Sequence, residues 1–345
     1  MTQPFPLTVV SQPFDDYPQE LLLRISVPDL VERSENFSLM FRPDDYIAQD
    51  LAALLTVFFR RLVTVCAKVR VTHPNRLPGQ PPSPNDWPLP IANSLTRVAW
   101  KRRAVSIGYG ARGIEAVIDY NPPPLQIDPE RLKSKLSTVA RIPYGEAYVL
   151  AARLYAQAMQ VIEESPDIAY QLFISGVETM ANKVFSDYSP SRAEMVATKD
   201  IVAQRAMDLG LAQENSEELA VLACNGMTWT SRKFQIFLKD MTDETIWQPD
   251  GLFRIPEGFE PAAEDFDRVL KEIYRGRGAA VHGGQAYGPS VGVGSSPRVP
   301  VRAMQELFSG GPKVPPVGWF ERVVNLALNR YLDTALSRIQ EESVE

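Results

Sequence analysis

Two cysteines and two histidines are all that this chain of 345 residues offers among the side chains that most often hold transition metals. Cys66 and Cys224 are too few for a disulfide framework and lack metal-site spacing, so a reducing, cytoplasmic setting is expected. With His73 and His282 as the only imidazoles, no zinc site is expected, nor any other metal or cofactor. The Gly-Lys-Ser/Thr phosphate loop, the Gly-x-Ser-x-Gly elbow and the His-Glu-x-x-His helix are all missing. An excess of positive charge is missing too: 36 Lys and Arg stand against 42 Asp and Glu, a net charge of −6. That excludes a surface coated in cations, so any contact with nucleic acid must be local. The longest apolar run, Leu51 to Cys66, carries Arg60 and Arg61 near its middle, which rules against a membrane span. The first ten residues have no cationic start and hold Pro4 and Pro6, unlike a secretory signal.

What is present is enough for real cores: 45% apolar residues in a chain long enough for two domains. Residues 7 to 41 alternate in the manner of short strands, at Leu21, Leu23, Ile25 and Val27 and again at Phe37, Leu39 and Phe41. A helix follows from Pro43, with Ile47, Leu51, Leu54, Phe58, Leu62 and Val65 on one face. Prolines crowd residues 74 to 90, which read as a surface loop. Val105, Ile107 and Tyr109 pair naturally with Ile114, Ala116, Ile118 and Tyr120 across a glycine-rich turn. The first domain, residues 1–124, is therefore predicted to be α+β.

Asn121-Pro122-Pro123-Pro124 marks the boundary, since consecutive prolines break both helical and strand periodicity. From 125 to 345 the pattern is helical. Asp128-Pro129-Glu130 opens a short helix. Ala147, Ala151, Leu154, Ala158 and Ile162 mark a long one. Asp167 is expected to cap the next, with Phe173, Val177, Met180 and Val184 on one face. Further helices are predicted near 193–209, 216–224, 230–240 and 262–277. A last one carries Phe320, Val323, Ala327, Tyr331, Ala335 and Ile339. Residues 283–318 read as a long loop, either a flap beside a site or disordered. The expected fold is an α+β domain followed by a mainly helical bundle.

The most informative stretch runs from Phe266 to Gly284. Phe266, Leu270, Ile273 and Arg277 share a helical face, so an apolar stripe ends in a guanidinium where glycines loosen the helix. His282 comes five residues later, followed by Gly283 and Gly284, which let the backbone turn. The set Tyr274, Arg277, Val281, His282 and Gly283 resembles the Tyr-x-x-Arg-x-x-x-Val-His-Gly signature of HEPN domains of the Apea-like branch. The resemblance covers about residues 125–345. It implies an all-helical domain that pairs into homodimers and, in active members, cleaves RNA without a metal. Such nucleases act as toxins or as antiviral, abortive-infection effectors, often with an N-terminal module that senses a trigger or holds the nuclease in check. By that analogy residues 1–124 would bind a trigger or inhibitor protein. Inert members keep the fold, so the alternative is a dimerisation or adaptor module. Members silenced by a nucleotidyltransferase carry a tyrosine two residues after the histidine. Here Gly284 holds that place and Tyr287 is out of register.

The chemistry matches those residue types. Attack by a 2′-hydroxyl needs a base, a cation on the phosphate and an acid for the leaving oxygen; histidine serves as acid or base, and arginine grips phosphate with a planar fork. One chain supplies half of this, and a twofold axis would bring two Arg277 and His282 pairs to one cleft. Arg275 also satisfies the spacing, as a second phosphate contact or a solvated charge. Glu178, in a stretch running from Tyr170 to Met180 that looks like the Apea-like pattern, would either orient Arg277 or His282 or lock two helices together. Arg97, Lys101, Arg102, Arg103 and Arg112, with Trp100 and Tyr109 among them, form the one sizeable cationic cluster. It reads either as an RNA-backbone track or as a solvated face. His73 reads as a surface residue.

Overall fold

The computed structural model describes residues 7–10, 22–25, 43–63, 106–110, 113–117, 128–248, 252–253, 255, 258–295 and 314–342. The expected strand at 37–41, the proline-rich segment, Cys66, His73 and the cationic residues Arg97, Lys101, Arg102, Arg103 and Arg112 lie outside the described residues. Ahead of the helical region, β1 (Leu7–Val10) pairs antiparallel with β2 (Leu22–Ile25). Likewise β3 (Ser106–Gly110) pairs with β4 (Gly113–Val117), setting Ile107 opposite Ala116 and Tyr109 opposite Ile114.

From residue 128 the described residues form a helical bundle. Helix α2 (Pro129–Val139) begins where Asp128 accepts the N–H groups of Glu130 and Arg131, with proline at the first helical position, where its missing donor costs nothing. Helix α3 (Gly145–Val161) follows a turn so tight that a Cβ on Gly145 would lie 2.3 Å from the Val139 carbonyl oxygen. Its small residues Ala151, Ala152 and Ala158 are fully buried and admit α4 (Pro166–Val184) at close range. The contact is closest at Gly176, where a Cβ would stand 3.3 Å from the Ala151 carbonyl oxygen.

Helices α5 (Arg192–Asp208) and α6 (Gln213–Gly226) form a hairpin. It opens with a capping box in which Ser191 and Glu194 satisfy each other's backbone N–H groups. Helix α7 (Thr230–Asp240) buries Phe234, Phe237 and Leu238 and packs against α4. Then come α8 (Phe266–Gly283) and the closing helix α9 (Val317–Glu342).

Helix α9 is the axis of the core. Val317, Trp319, Phe320, Val323, Val324, Ala327 and Leu328 are all buried, so its first three turns are surrounded rather than amphipathic. Phe320 stacks on Tyr170 with centroids 4.7 Å apart and meets Phe173 edge-on at 6.3 Å. Each such fully buried side chain contributes about 1.5–3 kcal/mol.

Helix α1 (Pro43–Phe59) packs on α3 and α9, and its Ala53, Leu54 and Val57 enter the same hydrophobic cluster. The apolar stripe predicts a helix reaching Val65, but α1 stops at Phe59. Arg60 takes a left-handed conformation with φ 53°, and its guanidinium pairs with the buried Glu321 of α9. Periodicity cannot foresee that stop, because its cause is a partner 261 residues away.

The segment after α8 also departs from expectation. Of residues 283–318, which read as a flap or as disorder, 296–313 lie outside the described residues, whereas 284–295 form a strap folded against the bundle. Val291 and Val293 are buried, and the Tyr287 N–H donates to Asp167 Oδ1 at 2.8 Å. Asp167 is thus not the cap of α4, whose N-cap is Ser165. Its carboxylate serves the strap. The Tyr287 ring lies against α8, such that a Cβ on Gly276 would stand 2.9 Å from it, whereas a Cβ on Gly278 would meet nothing within 4 Å. Alanine at these two positions should therefore act with opposite sign. At Gly278 it should stabilise by about 0.5–1 kcal/mol through helix propensity. At Gly276 overpacking of about 1–3 kcal/mol should outweigh that gain. Urea denaturation of both variants is the check, and equal stabilisation would mean that Tyr287 is not seated on the helix.

Candidate functional site

Helix α8 buries Val269, Leu270 and Ile273 against the bundle, which fixes where the rest of its side chains go. The sequence predicts an end near Arg277, but the helix continues through Gly276 and Gly278 to Gly283. Gly284 then enters the left-handed region with φ 62° and returns its N–H to the Ala279 carbonyl. Two interior glycines weaken a helix without breaking it, and here the strap braces it from outside.

A continuous helix has consequences for the motif. Arg277 and His282 are five residues apart, so they leave α8 about 140° apart around the axis and ~7.5 Å apart along it. Arg275, seven residues before His282, leaves from the same face as the histidine, about two turns away. Both are exposed, Arg275 at 76%, with its Nη1 3.0 Å from Glu272 Oε1. Arg277 is 28% exposed and turned to the bundle, where its Nη2 donates to Glu178 Oε2 at 3.0 Å.

Glu178, on α4, is buried and joins Tyr274 and Arg277, two of the three motif residues that precede the histidine. Its Oε1 accepts the Tyr274 hydroxyl at 2.7 Å, while Oε2 accepts Arg277. The guanidinium also lies over the Tyr274 ring, 5.8 Å from its centroid. Burial, and then the hydrogen bond and charge of Glu178, push the Tyr274 phenol above its ordinary range, so it stays protonated as a donor. Tyr274, Glu178 and Arg277 thus form one triad across two helices, and the structure leaves Arg275 and His282 outside it.

The triad forms one wall of a groove of about 820 Å³. The opposite wall is the turn Met227-Thr228-Trp229 with Thr230, Ser231, Arg232 and Gln235 of α7. Trp229 sits in the left-handed region with φ 55°, a conformation that a tryptophan rarely adopts. Arg232 has its Nε 2.7 Å from Glu194 Oε1, though off the line of a hydrogen bond. Sequence reasoning missed this wall. Its one local signal, a cluster of hydroxyl residues before an apolar helix, is also what any helix start looks like.

Among the described residues no group of three or more His, Cys, Asp or Glu side chains lies close enough to hold a metal ion. No helix among them is long and apolar enough to cross a membrane. Compared with known proteins, the chain matches no family model, no curated protein and no solved structure.

Proposed function

We propose that the chain is a metal-independent RNA endonuclease acting as a homodimer, with His282 as general acid and base and Arg277 holding the phosphate, as its resemblance to HEPN nucleases implies. The observation that carries the reading is the placement of Arg277. A buried carboxylate and a phenol hold its guanidinium on an open groove, while His282 stands exposed about 1.4 turns along the same helix. A guanidinium has five donors, and one bond to Glu178 leaves the others for phosphate oxygens. Because the two side chains diverge by about 140°, a histidine facing Arg277 across one scissile linkage would come from the second copy. By the same analogy, the nuclease is a toxin or antiviral defence effector, and residues 1–124 recognise a trigger or inhibitor.

The second reading, an inert dimerisation or adaptor module, draws on the same contact. The Glu178 to Arg277 pair neutralises the guanidinium and ties α4 to α8, which is what a structural lock does.

Product chemistry separates the two readings. Incubated with single-stranded RNA in EDTA, the full-length protein should yield fragments ending in 2′,3′-cyclic phosphate and leave the all-2′-deoxy strand intact. Intact RNA after prolonged incubation selects the adaptor. Equal cutting of DNA rejects attack by a 2′-hydroxyl.

A further inference from the structure

We infer that the groove between α8 and the start of α7 seats one nucleotide of a single RNA strand, its base stacked on Trp229 and its phosphate between Arg232 and Arg277. This rests on the proposed ribonuclease reading for the kind of strand and on the groove alone for the contacts.

Four features of the groove point the same way. Its volume of about 820 Å³ is of the size that takes a small organic ligand. Its lining carries two guanidinium groups, from Arg232 and Arg277, each with more donors than its one carboxylate partner engages, and these suit phosphate oxygens although the chain is acidic. Both guanidinium groups are already steadied by carboxylates, Glu194 and Glu178, so a phosphate meets donors that need little reordering. Finally, Trp229 is only partly buried and brings an indole to the groove wall from a strained backbone. Stacking on an indole suits any base, which fits a strand bound without sequence readout.

The hydroxyls of Thr228, Thr230 and Ser231 supply the polar remainder. Thr228 and Thr230 bond each other at 2.8 Å, and Ser231 accepts from the buried Gln235 at 3.2 Å. Ser231 and whichever threonine accepts keep a hydrogen for a ribose or phosphate oxygen, while the donating threonine keeps only acceptor capacity. Helix α7 has no side-chain cap, so the N–H groups of Thr230 and Ser231 add to the same pole, while that of Arg232 is held by the Trp229 carbonyl.

The test is equilibrium binding of a fluorescein-labelled 2′-O-methyl decanucleotide, which cannot be cleaved, to the full-length protein by anisotropy. Trp229→Ala should weaken binding by about 5- to 150-fold and Trp229→Phe by far less. Arg232→Gln should weaken binding and lower its salt dependence by about one phosphate contact. Unfolding midpoints of all three variants confirm that they fold. Wild-type affinity in both Trp229→Ala and Arg232→Gln overturns the groove, as does equal loss in Trp229→Ala and Trp229→Phe. If these variants bind normally while the wild type still cleaves RNA, the groove falls and the ribonuclease stands. If binding depends on Trp229 and no RNA is cut, the ribonuclease falls and the groove stands.

Discussion

Alanine at His282 is expected to lower the rate of RNA cleavage by about 10²- to 10⁴-fold, the usual contribution of a positioned acid or base. The unfolding midpoint should not move. His282 is exposed in the last turn of α8, so its removal opens no cavity and orphans no buried group. That separation of effects is what makes the variant decisive, because a loss of activity cannot then be blamed on a loss of fold. Arg277 offers no such clean reading. Removing it also strips Glu178 of an ion-pair partner and leaves a buried carboxylate with only the Tyr274 hydroxyl among its side-chain donors. Arg277→Lys is the better probe, keeping the charge but losing the planar fork. Arg275→Ala supplies the comparison, since Arg275 shares the face of His282. If Arg275→Ala abolished cleavage and Arg277→Lys did not, the phosphate contact would pass to Arg275. A His282→Ala protein that cuts RNA at the wild-type rate would remove the imidazole from the mechanism altogether.

How much of this was legible beforehand depends on whether the cause lies near in sequence. Asp128 beside Pro129 announces α2, and Ser165-Pro166 announces the break before α4, because cap chemistry is local. The apolar stripe of α8 is readable for the same reason, and it brings Tyr274 and Arg277 toward a glutamate that the pattern had already singled out on α4. The failures share the opposite property. Gly276 and Gly278 read as a loosened helix end, since nothing nearby shows that Tyr287 will lie on one of them. Asp167 reads as a cap, although its partner is 120 residues away. The groove wall at Trp229 needs α7 and α8 side by side before its residues have anything to face.

Glu321 is the position where a single substitution should cost most stability, and periodicity hides it. It falls beside the stripe that begins at Phe320, in the first turns of α9 that are buried all round, and is itself fully buried. Arg60 pairs with it from the turn after α1, the Tyr155 hydroxyl donates to it from α3, and Asn325 Nδ2 donates to that hydroxyl at 3.1 Å. Asn325 and Asn329 also donate to the Val57 carbonyl, at 2.8 and 3.2 Å, closing the open C-terminal end of α1. Burial, and then the charge of Glu321, hold the Tyr155 phenol well above its ordinary range, so it remains a donor. The cluster therefore clips α1 to α9 through one carboxylate and two asparagine amides. Glu321→Ala should cost about 3–5 kcal/mol, because a guanidinium stays behind in a poorly solvated site. Replacing both partners, with Arg60→Met and Glu321→Met, should recover part of that loss, since the two charges that face each other are then removed together. Urea unfolding of the two single variants and the double variant gives the coupling directly. A loss below about 1 kcal/mol for Glu321→Ala, the scale of an exposed pair, would mean that the carboxylate is solvated and that α1 is held by its apolar face and the asparagine bonds to Val57 instead.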